Sequence, residues 1–113
     1  MGLSVCLTTC ECPCCHHSEV VYDCNITHNL TKMADAAGLY IPLWRPEECG
    51  VKLAKDLIEP LTKGIALMKE DPLKFKEFDA PNGWGLYEHF LPWLEKLLTA
   101  CQEHPEACVE ISR

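Results

Sequence analysis

Two short apolar runs with a period of two bracket a segment crowded with thiols and imidazoles, and no other feature restricts the fold as much. Leu3, Val5 and Leu7 alternate with smaller or more polar neighbours, and Val20, Val21 and Tyr22 resume an extended, β-branched run. That period is the signature of a half-buried strand, and two such runs joined by a polar connection form a hairpin. A lone hairpin is marginal in water. The alternating stretch Cys108-Val109-Glu110-Ile111-Ser112 offers a third strand, so a small antiparallel sheet is expected.

The sequence between these strands is helical. Leu30, Met33, Ala34 and Ala37 fall at i, i+3, i+4 and i+7, and Gly38 is a natural C-terminal stop. Pro42 and Pro46 bracket an expected loop around Trp44 and Arg45. Leu53, Leu57, Leu61, Ile65 and Met68 trace one face of a longer helix, which Pro60 should kink or break. Pro72 to Phe78 suits a short helical turn, and Asp79-Ala80-Pro81-Asn82-Gly83 is turn chemistry. The last helix, Trp84 to Glu103, is apolar on most sides and should be the most buried, with a second kink at Pro92.

The expected class is therefore α+β: a small antiparallel sheet, made of the N-terminal hairpin and the C-terminal strand, packed against three to four helices. A chain of 113 residues that is 48% apolar and 24% charged suits one folded domain spanning 1–113, with its Cys/His-rich tip at about 9–18. No apolar run approaches the roughly 20 residues of a membrane span, and no basic segment opens the chain as a secretory signal would. A cytoplasmic location is expected. There, the nine cysteines should be reduced thiols or metal ligands, and the sequons Asn25-Ile26-Thr27 and Asn29-Leu30-Thr31 carry no glycan.

Cys6, Cys10, Cys12, Cys14, Cys15 and Cys24 fall within nineteen residues, with His16 and His17 in the same turn. Thiolates and imidazoles gathered in a tight hairpin meet the needs of a tetrahedral zinc ion. Cys12-Pro13-Cys14-Cys15 has the Cys-Pro-x-Cys spacing of a zinc-ribbon-like knuckle, although His16 stands where glycine is usual and no second Cys-x-x-Cys follows. The expected ligand set is Cys10, Cys12, Cys15 and His17, in a structural site. The alternative is a hairpin tip of unliganded thiols, with Cys6 and Cys24 as small apolar core residues.

Two further motifs carry polar chemistry. In Asn25-Ile26-Thr27-His28-Asn29, an imidazole flanked by amides could orient a polar ligand, or Thr27 could simply cap the first helix. In Asn82-Gly83-Trp84-Gly85-x-Tyr87, a glycine-rich helix start could hold an anion while the aromatics stack on a planar group. Equally, the glycines could serve a tight loop and the aromatics the core.

Together with Leu43-Trp44-Arg45-Pro46-Glu47-Glu48, these motifs resemble those of a group of short uncharacterised bacterial and phage proteins, over nearly all of residues 25–113. The resemblance implies a shared ligand site of Asn25, His28, Asn29, Trp84, Gly85 and Tyr87.

The function most consistent with these features is a small intracellular binding or regulatory protein, of the kind phages encode, that captures a small polar ligand or a protein partner. The alternative is a small hydrolase or transferase using His28 as general base, but no nucleophile–base spacing is legible. Nucleic-acid binding meets an electrostatic objection. The net charge is −7, and the first 31 residues contain no Lys or Arg to meet phosphates.

Overall fold

The computed structural model describes residues 2–9, 20–27, 30–79 and 86–112. The chain forms β1 (Gly2–Thr8), β2 (Val20–Thr27), α1 (Thr31–Ala36), α2 (Tyr40–Trp44), α3 (Pro46–Cys49), α4 (Lys55–Glu70), α5 (Pro72–Lys76), α6 (Tyr87–Glu103) and β3 (Cys108–Ser112). The α+β class and the expected sheet are both present. Its three strands are antiparallel in the order β2-β1-β3.

The period of two in β1 sorts the sheet into two faces. Leu3, Val5 and Leu7 are fully buried and lie opposite Ile26, Cys24 and Tyr22 of β2, and Val5 and Leu7 also lie opposite Ile111 and Val109 of β3. This inner face meets the helices in one continuous apolar cluster. The outer face carries Ser4, Cys6, Asp23, Asn25, Glu110 and Ser112.

α4 and α6 form an antiparallel pair. The Tyr87 hydroxyl at the start of α6 donates to the Met68 carbonyl near the end of α4, at 2.9 Å. At the other end, the Lys55 and Ala54 amides donate to the Pro105 and Ala107 carbonyls, and Leu53 forms an isolated bridge with Cys108. These bonds join the start of α4 to the corner between α6 and β3. Both helices use their apolar stripes as expected, burying Leu57, Leu61, Ile65 and Met68 on one and Phe90, Leu94 and Leu97 on the other.

Several local expectations need correction. Neither proline breaks its helix: α4 runs through Pro60 and α6 through Pro92 as single elements. Each proline is the sixth residue of its helix, so it deletes one backbone donor while packing on both sides holds the cylinder together. The stretch from Pro42 to Pro46 is helical, not a loop. α2 and α3 meet at Arg45, and Pro46 opens α3 in a first-turn position where its missing N–H costs nothing. Among the described residues there are six helical segments, four of them of six residues or fewer.

α6 starts at Tyr87, three residues later than expected, because Leu86 is extended. Its first amide is met by Asp79, whose Oδ1 accepts from the Tyr87 N–H at 2.7 Å. Thr27 does not cap α1. It is the last residue of β2, and α1 begins after Leu30 with no side-chain cap. Gly38 ends α1 as expected, at a positive φ of 76° that a side chain would disfavour.

Candidate functional site

β1 and β2 converge on the Cys/His-rich connector. Leu7 lies opposite Tyr22 but Thr8 lies opposite Val20, so Val21 is a bulged residue at this end. The connector is therefore held at both ends about one strand spacing, ~5 Å, apart. The expected ligands Cys10, Cys12, Cys15 and His17 lie outside the described residues, as do His28, Asn29, Trp84 and Gly85 of the expected pocket. Among the described residues, no group of three or more His, Cys, Asp or Glu side chains could hold a metal ion.

β3 enters the sheet at the same end. Its first residue, Cys108, lies opposite Thr8 and is disulfide-bonded. Cys6, Cys24, Cys49 and Cys101 are free. The expectation of reduced thiols or metal ligands fails at Cys108. Its distance in sequence from β1 concealed the proximity that the β1–β3 ladder creates.

A cavity of about 440 Å³ opens beside this end of the hairpin, between Thr9 and Val21 on one side and Glu103, His104 and Glu106 on the other. Sequence reasoning did not single out these three polar residues. α6 ends at Glu103 with His104 as its C-cap, and the His104-Pro105 step was the available signal, since the residue before proline is biased out of the helix. The cavity wall presents an imidazole and carboxylates.

Three of the free thiols, those of Cys6, Cys24 and Cys101, are unsuited to metal or nucleophilic chemistry. Cys24 does fill the inner face, and burial pushes its thiol up to about 12. Burial does the same to Cys101, also to about 12. Cys6, expected as a possible core residue, instead sits on the outer face opposite Asp23 and Glu110. Its thiol is raised by burial and then by those two carboxylates. Thiolate character, which both metal ligation and nucleophilic attack require, is suppressed at all three.

Of the expected pocket, Asn25 and Tyr87 are described. Asn25 is exposed opposite Ser4 on the outer face of the sheet. Tyr87 is buried between α4 and α6, with its hydroxyl committed to Met68. The Asn25 side chain thus faces away from the helices among which Tyr87 packs, and Tyr87 takes the core role weighed as its alternative.

A second cavity, of about 480 Å³, lies between Gly38 and Pro42 on one wall and Pro60, Lys63 and Leu67 of α4 on the other, with the free thiol of Cys49 at its edge. Lys63 is paired with Glu59 at 2.9 Å, so this wall is apolar with a neutralised rim. No sequence motif pointed to it. No family model, curated protein or solved structure matches the chain.

Proposed function

We propose that the chain is a small intracellular binding or regulatory protein, of the kind phages encode, whose Cys/His-rich hairpin is stabilised by zinc and which captures a small polar ligand or a protein partner. The observation that carries this reading is the closed base of the connector. Thr8 lies opposite Val20, and between them residues 10–17 hold four cysteines and two histidines. Pinning both ends of so short a loop removes much of the closure entropy a local tetrahedral site would otherwise cost. Cys10, Cys12, Cys15 and His17 are the ligands assigned, and zinc would supply structural cross-linking of a tip that has few apolar residues.

The captured group is placed beside that tip, where Glu103, His104 and Glu106 face the base of the hairpin. Glu106 is paired with Lys55 at 3.9 Å, and the carboxylate of Glu103 suits a basic or hydrogen-bond-donating group more than a phosphate. Protein purified under mild reduction and without chelator should contain about one zinc per chain by elemental analysis. A Cys12→Ser, Cys15→Ser double variant should lose the metal while far-ultraviolet circular dichroism still reports the helices. Metal-free protein that also fails to take up added zinc would refute the proposal.

A further inference from the structure

The sheet has two edges, and they are treated differently. The β3 edge is covered at its start, where Leu53 bridges Cys108 and the Val109 N–H donates to the Lys52 carbonyl at 2.9 Å. Among the described residues, the β2 edge carries no such cover. Among the described residues, β1 alone forms a backbone ladder with it. Helix α6 approaches β2 from the inner-face side, where Tyr22 and Thr99 border a shared cavity.

Exposed edges are ordinarily guarded by lysine, proline or a bulge within the strand. Val20–Thr27 contains no Lys, Arg or Pro, and its irregularity is confined to the Val21 end, leaving Tyr22 to Thr27 in regular register. We propose that this edge is a self-association surface, on which β2 of a second copy pairs antiparallel about a two-fold axis at Cys24, extending the sheet through both molecules.

The strand sequence selects that axis. Residues directly opposite in an antiparallel pair share a face, so the two-fold must pass through a residue, not between two. An axis at Asp23 would set two carboxylates against each other, which is unfavourable. An axis at Asn25 would carry Tyr22 beyond the end of the opposing strand. With the axis at Cys24, Asp23 meets Asn25 of the second copy twice on the outer face, a carboxylate against an amide donor. On the inner face Tyr22 meets Ile26 twice, an aromatic against a β-branched side chain, which is a favourable cross-strand pair. The inference is independent of zinc, since it uses none of the connector.

Sedimentation velocity on the reduced full chain, at up to about 200 µM to reach weak association, tests it directly. A reversible monomer–dimer equilibrium is expected. Asn25→Asp, at an exposed site, should weaken it roughly ten-fold by creating two like-charge pairs, and added salt should restore part of the loss. Asn25→Lys should tighten it by a similar factor through two Asp–Lys pairs, a gain that misfolding could not produce. A chain that stays monomeric throughout overturns the proposal. So does a dimer that both variants leave unchanged, or that both weaken.

Discussion

At Gly64, Leu39 in the turn between α1 and α2 packs directly on α4. A Cβ built there would lie 2.6 Å from both Cδ1 and Cγ of Leu39 and 3.0 Å from Cδ2, whereas carbon atoms pack best at about 3.5–4.0 Å. Leu39 is fully buried, so it must leave its rotamer or push the turn away from α4. Overpacking of that kind costs roughly 1–3 kcal/mol. Against it stands the gain of about 1 kcal/mol for replacing an interior helical glycine by alanine. Gly64→Ala should therefore destabilise the protein by about 1 kcal/mol, lowering the melting midpoint by roughly 4 °C for a chain of this size. The sign should reverse once the obstruction is removed. In a Leu39→Ala background, itself about 2–5 kcal/mol less stable, Gly64→Ala should be stabilising by about 1 kcal/mol. Urea unfolding of the four proteins measures the coupling, expected at about 2 kcal/mol. If Gly64→Ala stabilises both backgrounds equally, Leu39 does not pack on Gly64 as described.

Other outcomes follow from single contacts. Tyr87→Phe removes the donor to the Met68 carbonyl and should cost about 1–2 kcal/mol in urea unfolding. Trp93→Phe should be neutral or stabilising in the same assay, because the Trp93 indole N–H is buried without an acceptor. Asp56 accepts from the Lys52 and Leu53 amides, and those bonds lower its carboxyl pKa. Its contribution, about 1 kcal/mol or less at so exposed a site, should be present above the unfolded carboxyl value near 4 and fade as pH falls through the lowered folded value. An Asp56→Asn variant should converge with the parent in acid urea titrations. In alkylation at pH 8, mapped by mass spectrometry, exposed Cys49 should label in the native protein. Cys24 and Cys101, with thiols pushed up to about 12, should label only on unfolding.

The strands were legible because a period of two over five or more residues has few other interpretations. Leu3, Val5 and Leu7 are inside as their alternation predicts, and Cys108–Ser112 joins β1 from the far end of the chain. The prolines did not mark helix ends, and only the loop expected between Pro42 and Pro46 is overturned. Pro46 opens α3 at a position suited to it, and Pro60 and Pro92 are carried inside helices whose buried faces outweigh one lost donor. Asp79 was seen as turn chemistry, yet it acts eight residues later on the start of α6, a contact that local spacing does not encode. The cavity at the hairpin base was illegible for a related reason. Glu103 closes the expected last helix, and it and His104 meet Thr9 and Val21 only through sheet pairing.

The hairpin divides its work among separate parts of the same two strands. Its inner face is committed to the core, its tip carries the proposed metal ligands, and the β2 edge is left for a second copy. These assignments constrain one another. Pairing about Cys24 would place Val20 opposite position 28 of the other copy, eight residues from that copy's own Val20, or about 26 Å along the strands at ~3.3 Å per residue. The two Cys/His-rich tips would then lie at opposite ends of the paired strands, too far apart for one ion with ligand distances near 2.3 Å to bridge them. Each chain must therefore close its metal site from its own residues. Zinc content per chain should be the same in Asn25→Asp and Asn25→Lys, although their association differs. A stoichiometry of one zinc per two chains, lost when Asn25→Asp separates the copies, would contradict this arrangement of tip and edge.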